Sequence, residues 1–155
     1  MNILFVCSAN VSRSFLAEKL LRRELEKQNI KDVSVASAGL NTFQIKQPDQ
    51  NIVSYLLKIG IPPGNHRPKQ ISEQNIDWAN IILVMEDNHA KKIMDLWPEA
   101  KPKLQVFGKF VSPDPNIDDI VDPFGKSSYH YRLAQSQITL AIKNFVNKLL
   151  QDKKR

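Results

Sequence analysis

The chain has 155 residues, and its 42% hydrophobic and 25% charged residues are typical of a soluble globular protein, expected to form one domain over residues 1–155. A single cysteine, Cys7, excludes an intramolecular disulfide framework and a cysteine-rich metal site. No apolar run approaches the roughly 20 residues that a membrane-spanning helix needs.

The charge pattern favours an anionic substrate over a large polyanionic partner. The chain carries 22 Lys and Arg residues against 16 Asp and Glu residues, for a net charge of +6. Many of the cations fall on predicted helix faces and at the C-terminus, without the basic and aromatic alternation of RNA-binding strands. We therefore expect no nucleic-acid and no membrane partner, and a charge that attracts phosphorylated substrates. We also expect a cytoplasmic location, because no basic-then-apolar leader precedes the first strand. We expect the protein to be a monomer.

The first turn of the chain predicts an oxyanion site. An apolar run at residues 3–6 predicts a strand, and an amphipathic segment from Arg13 predicts a helix. Between them lies the first loop (residues 7–14), whose backbone N–H groups converge beside the positive end of the helix. Cys7 is expected to be largely thiolate there. The planar fork of Arg13 matches two phosphoryl oxygens. The alternative is that Cys7 is a small buried hydrophobic residue.

Strands and helices alternate along the rest of the chain. This pattern predicts an α/β fold, a three-layer sandwich with a central four-stranded parallel sheet flanked by helices. In the first half of the chain the predicted elements are a helix at 16–25, a strand at 33–36 and a helix that Pro48 opens. A short helix follows Ser72, which begins a Ser-x-x-Asn sequence in place of the full capping box. The remaining predicted elements are a central strand at 79–85, a helix at 87–96, an edge strand at 104–107 and a closing helix at 138–149.

An acidic loop lies between the last predicted strand and the closing helix. Residues 112–125 carry Asp114, Asp118, Asp119 and Asp122. Transfer of a phosphoryl group from a phenol to a thiolate requires a proton for the leaving oxygen, which a carboxylic acid on a loop can supply. Asp114 and Asp122 each precede a proline, so the residues alone do not choose between them, and an Asp-Pro pair also occurs in ordinary turns.

Several ordered motifs together resemble the low-molecular-weight protein tyrosine phosphatases over nearly the whole chain. The matching segments are the first loop with Ala17 and Glu18, then residues 37–39, 48–49, 66–67, 81–86 and 121–124. The resemblance implies hydrolysis of phosphotyrosine on a protein substrate through a phosphocysteine intermediate. It implies that Cys7 is the nucleophile, that Arg13 binds the phosphate and that Asp122 is the general acid and base. Asp114 is the alternative general acid. No metal and no cofactor is implied.

The same resemblance assigns the remaining site residues. It implies that the first loop binds phosphate, sulfate or vanadate through Ser8, Ala9, Asn10, Val11, Ser12 and Ser14. Phe43 and Phe124 would be the two walls of the cleft, although Phe43 could instead be a loop anchor buried in the core. Asn10, Ser14, Ser37 and His66 match a hydrogen-bonded set that supports the loop.

Two residues depart from the family pattern, and a third bears on the substrate. Ala9 replaces a glycine, which would strain the loop if that position needs a positive φ. Ser12 replaces a second cysteine, so oxidised Cys7 would lack a neighbour for a disulfide. Val11 stands where phosphoarginine-specific relatives carry threonine, which favours phosphotyrosine. The alternatives are a catalytically weak or silent phosphate-binding or phosphoprotein-binding module, and a phosphatase for phosphoarginine or another small phosphate ester.

Overall fold

The computed structural model describes residues 1–114, 116 and 119–155; Pro115 and Asp118 of the predicted acidic loop lie outside the described residues. Its sheet confirms the predicted fold. The strands are β1 (Asn2–Cys7), β2 (Ser34–Gly39), β3 (Ile81–Val84) and β4 (Leu104–Val106), all parallel, in the order β2-β1-β3-β4.

Helices cover both faces of this sheet. They are α1 (Arg13–Lys27), α2 (Gln50–Lys58), α3 (Glu73–Trp78), α4 (Asp87–Leu96) and α5 (Ser128–Lys153), with 3-10 turns at Pro98–Lys103 and Phe107–Phe110. Alternate side chains of β1 enter two cores. Ile3, Phe5 and Cys7 pack with residues of α1, α2 and α5, whereas Leu4 and Val6 pack with residues of α3 and α4. Cys7 therefore ends β1 on the face that α1 covers.

Several element boundaries differ from the predicted ones for local reasons. Helix α2 begins at Gln50 rather than Pro48, because the Asp49 side chain caps it by accepting from the Asn51 N–H at 3.0 Å. The capping box of α3 is complete, since Asn75 Oδ1 accepts from the Ser72 backbone N–H at 2.9 Å. Strand β3 is shorter than the predicted run 79–85, and β4 ends one residue early because Phe107 begins a 3-10 turn.

No helix in the described part of the chain combines the length and the hydropathy that crossing a membrane requires.

Candidate active site

The first loop lies at the carboxyl edge of the sheet, where ligands of open α/β folds bind. The backbone N–H groups of Leu40 and Asn41 donate to the carbonyl oxygens of Cys7 and Ser8 at 3.0 and 2.7 Å, so the end of β2 runs along the loop. A Cβ atom on Gly39 would lie 2.8 Å from the carbonyl carbon of Ala9. This close approach of two backbones requires glycine at position 39.

Cys7 opens into a small cavity at this edge. The thiol is 3% exposed, and its Sγ lies 2.9 Å from Ser14 Oγ and accepts from the backbone N–H of Asn10 at 3.3 Å. The cavity has a volume of about 50 Å³ and is lined by Cys7, Ser8, Ala9, Val11, Ser12, Arg13, Asp122 and Phe124.

Arg13 is fixed at the cavity by two hydrogen-bond acceptors and lies near a second carboxylate. Its side chain is 2% exposed; Nη1 donates to the carbonyl oxygen of Ile120 at 2.8 Å, and Nη2 lies 2.7 Å from Glu86 Oε2 and 3.7 Å from Asp122 Oδ2. Burial opposes ionisation of Glu86, but the hydrogen bond and positive charge of Arg13 lower the pKa of that carboxyl. A guanidinium group has five N–H donors, so further donors are available to an anion in the cavity.

A buried histidine connects Ser8 to Glu86. The backbone N–H of Glu86 donates to His89 Nδ1 at 3.1 Å, which places the ring proton on Nε2. That Nε2 lies 3.0 Å from Ser8 Oγ and 3.4 Å from Glu86 Oε2. Burial lowers the pKa of His89 to about 4, although the charge of Glu86 opposes this shift. His89 is therefore neutral at pH 7 and adds no charge beside Arg13.

Asn10 holds the first loop in its shape from inside. It is fully buried with a φ of 57°, and its Nδ2 donates to Ser14 Oγ at 2.8 Å and to Ser37 Oγ at 2.9 Å. Its backbone carbonyl bonds His66 Nε2 at 2.7 Å, and the His66 ring stacks on Phe15. Burial lowers the pKa of His66, so the neutral ring donates through Nε2. The structure thus brings together the four supporting residues that the sequence predicts.

Asn10, and not Ala9, adopts the left-handed backbone conformation in the first loop. Asparagine tolerates this conformation better than alanine. Alanine is accommodated at position 9 without the strain that a positive φ would cause.

A second buried network, which the sequence did not predict, supports the loop from its other side. Ser12 Oγ and the Tyr131 hydroxyl both donate to Asp49 Oδ2, each at 2.6 Å. Asp49 is 5% exposed, and its backbone N–H donates to the carbonyl oxygen of Val11 at 3.0 Å. Burial raises the pKa of Tyr131, and the bond to Asp49 adds to the shift, so the phenol keeps its proton. Asp49 therefore joins the loop to α2 and α5.

Glu86 and His89 also lie at the site but were not predicted from the sequence. Glu86 lies just beyond the end of β3, so the general rule that ligands bind at the carboxyl ends of strands could have indicated it. His89 gave no comparable signal, because a histidine on a helix has many structural uses.

The predicted acid and the predicted cleft walls differ in how close they lie to the cavity. Asp122 and Phe124 both line it, and the Phe124 side chain is 56% exposed. Phe43 is 77% exposed, which excludes the alternative of a buried loop anchor, but it is not among the cavity-lining residues. Asp114 does not line the cavity either, and it bonds locally to Ser112 and Asn116.

Comparison with known proteins places the chain in a family. A family model described as low molecular weight phosphotyrosine protein phosphatase matches residues 2–155. The chain belongs to this family. A protein-arginine-phosphatase of Geobacillus stearothermophilus is 35% identical to this phosphatase over 147 residues, covering 95% of each chain. The tyrosine phosphatase Wzb of Escherichia coli K12 is 32% identical over 126 residues, covering 81% of this chain and 80% of its own.

Solved structures agree with this placement. The YwlE arginine phosphatase of Geobacillus stearothermophilus superposes with a TM-score of 0.85 at 34% identity, covering 98% of this chain and 94% of its own. A YwlE mutant with a phosphorylated active-site serine gives a TM-score of 0.89 at 25% identity over 99% of both chains. This phosphatase is thus a cysteine-dependent enzyme. Cys7 and Arg13 of its first loop line one cavity together with Asp122 of the acidic loop.

Proposed function

We propose that this phosphatase hydrolyses phosphotyrosine in proteins through a phosphocysteine intermediate. The Cys7 thiolate attacks phosphorus in line, so that the S–P bond forms as the P–O bond to tyrosine breaks. Asp122 gives its proton to the departing phenolate oxygen. Asp122 then takes a proton from water, whose oxygen attacks phosphorus and releases Cys7 and inorganic phosphate. Arg13 and the loop N–H groups bind the equatorial oxygens in both steps.

The cavity that contains Cys7, Arg13 and Asp122 is the observation that carries this proposal. At about 50 Å³ it suits the phosphoryl group and leaves the leaving group outside. The backbone N–H of Asn10 and the hydroxyl of Ser14 lie 3.3 and 2.9 Å from the sulfur, which fixes its position at the cavity. The nearest charged atoms of Arg13 and Asp122 are 3.7 Å apart, so both groups reach the same phosphoryl position.

Exposed aromatic side chains favour an aryl leaving group. Phe124 lines the cavity and is 56% exposed. Phe43 is 77% exposed, and it lies two residues after the segment at 40–41 that bonds to Cys7 and Ser8. Aromatic rings in such positions can pack against a phenyl ring and gain from burial on binding. We infer that they form the two walls around the substrate tyrosine.

Phosphoarginine is the second candidate, because relatives at 35% and 34% identity are named arginine phosphatases. The cavity itself argues for the first candidate. Val11 is 4% exposed and lines the cavity with hydrocarbon. A phosphoguanidinium group brings N–H donors to this position, and valine has no acceptor for them. An unpaired buried donor lowers affinity, whereas a phenol ester has no such donor.

Turnover of three substrates by matched variants tests the proposal. We expect the parent to hydrolyse p-nitrophenyl phosphate and a phosphotyrosine peptide faster than a phosphoarginine peptide, with inhibition by vanadate. Cys7→Ser should abolish turnover, and Asp122→Asn should lower kcat on phosphotyrosine by about 10²- to 10⁴-fold. Asp114→Asn, the matched control, should leave kcat unchanged.

Contrary results have distinct meanings. Phosphate binding without vanadate-sensitive turnover would establish the silent binding module instead. Faster turnover of the phosphoarginine peptide than of the phosphotyrosine peptide would identify phosphoarginine as the substrate. Val11→Thr should then increase the ratio of the two rates. Loss of activity in Asp114→Asn alone would reassign the general acid.

A further inference from the structure

A basic cleft lies outside the active site, where α1, the edge strand β2 and the segment at 65–69 meet. Its volume is about 400 Å³, far larger than that of the active-site cavity. Its cationic lining residues come from two separate segments, and Glu18 is the only carboxylate among the described residues that line it. The four cationic side chains are those of Lys19, Arg22, Arg67 and Lys69.

The cations of this basic cleft are only partly balanced by protein. Lys19 and Arg22 lie 4.0 and 3.4 Å from Glu18 Oε2 and share that one carboxylate oxygen. The other oxygen, Oε1, already accepts from the Ser37 hydroxyl at 2.8 Å. Within the described ranges, the side chains of Arg67 and Lys69 make no ion pair and no hydrogen bond. An anion in the basic cleft could therefore bind the side chains of Arg67 and Lys69 without breaking an existing ion pair.

The floor of the basic cleft contacts the first loop. Three residues that line the basic cleft bond to Asn10: Ser37 accepts from its Nδ2 at 2.9 Å, His66 binds its backbone carbonyl at 2.7 Å, and the Lys69 backbone N–H donates to its Oδ1 at 3.0 Å. Asn10 in turn donates its backbone N–H to Cys7 Sγ. Asn10 thus connects the basic cleft to the Cys7 sulfur through its own hydrogen bonds.

We propose that the basic cleft binds a polyphosphate group, at a site separate from the substrate site, and that binding is transmitted to Asn10. Several cations on separate segments suit an anion with several charged oxygens better than a single phosphate. Among the described lining residues the one ring is His66, and Phe15 stacks on one of its faces, so the lining offers a base little aromatic surface. The phosphates alone should therefore carry the affinity, whether free or attached to a nucleoside.

Nuclear magnetic resonance titration of the vanadate-saturated enzyme with inorganic tripolyphosphate tests this site, because vanadate occupies the active site throughout. We expect saturable shifts of the backbone amides of residues 36, 37, 66, 67 and 69 and of Asn10. The double variant Arg67→Gln/Lys69→Gln should bind tripolyphosphate about tenfold or more weakly, since it loses two charge-assisted contacts. The matched control Lys31→Gln/Lys101→Gln removes the same charge from exposed positions elsewhere and should bind like the parent.

Adenosine triphosphate, titrated without divalent metal, forms the second arm and should bind with the same affinity as tripolyphosphate. Much tighter nucleotide binding would refute recognition by phosphates alone. If both double variants lost tripolyphosphate affinity equally, or if sodium chloride at equal ionic strength caused the same shifts, the interaction would be nonspecific charge attraction and the proposed site would be refuted. Shifts at 66–69 without a response of Asn10 would refute the transmission. Turnover of p-nitrophenyl phosphate without polyphosphate tests the proposed function separately.

Discussion

Removing the charge of Asp49 should weaken both the fold and the first loop. The carboxylate is 5% exposed, and a single oxygen, Oδ2, accepts from Ser12 Oγ and from the Tyr131 hydroxyl at 2.6 Å each. In Asp49→Asn the amide keeps one acceptor oxygen, which can still cap α2 through the Asn51 N–H. Its NH₂ group would face the two hydroxyl donors and could accept from neither.

The expected loss follows from these two contacts. Hydrogen bonds to a charged group contribute about 1.5–3 kcal/mol each, and a buried donor without a partner costs about 1–3 kcal/mol. We therefore expect Asp49→Asn to lower the free energy of unfolding by about 3 kcal/mol. In a domain of this size each kcal/mol changes Tm by about 2–4 °C, so Tm should fall by about 9 °C. We also expect kcat to fall about tenfold or more as Ser12 and the first loop lose their anchor.

Thermal denaturation followed by circular dichroism, together with turnover of p-nitrophenyl phosphate, measures both effects. Asp95→Asn removes an exposed carboxylate of α4 and should change the free energy of unfolding by less than about 0.5 kcal/mol. Ser12→Ala combined with Asp49→Asn should show a coupling energy above about 0.5 kcal/mol, because the two residues share one bond. Strict additivity, or equal Tm values for Asp49→Asn and Asp95→Asn, would refute the argument.

Three other predictions concern the site. Gly39→Ala should lower kcat more than it lowers Tm, because the new Cβ would lie 2.8 Å from Ala9 backbone and displace the first loop; unchanged kinetics would contradict this. Because burial lowers the pKa of His89 to about 4, below the unfolded value of 6.5, the unfolded chain takes up the extra proton on acidification. The free energy of unfolding from urea titrations should therefore fall as pH drops from about 6.5 to 4, by about 2 kcal/mol at pH 5, and less in His89→Gln. Peroxide should convert Cys7 to sulfinic and sulfonic acids, seen by mass spectrometry, whereas Ser12→Cys should give a disulfide that dithiothreitol reverses; full recovery of the parent by dithiothreitol would oppose this.

The sequence alone determined the fold and the location of the site. The alternation of apolar strands with amphipathic helices is a local property of the chain, and it was sufficient to predict four parallel strands with β4 at the edge. The first loop could be located in the same way, because Cys7 and Arg13 are close in sequence on either side of a strand-to-helix turn. Their grouping with Asp122 around one cavity agrees with the motif resemblance.

Only the tertiary structure decided how that site is supported. Glu86 and His89 contact the first loop from the start of α4, and Asp49 contacts it from the start of α2 with Tyr131 of α5 bonded behind it; no periodicity or spacing relates these residues to the loop. Whether a carboxyl or an imidazole supports a loop depends on burial and on partners distant in the chain. Those properties arise only when the parallel sheet brings the ends of β1, β2 and β3 together and α2 and α5 pack beside them.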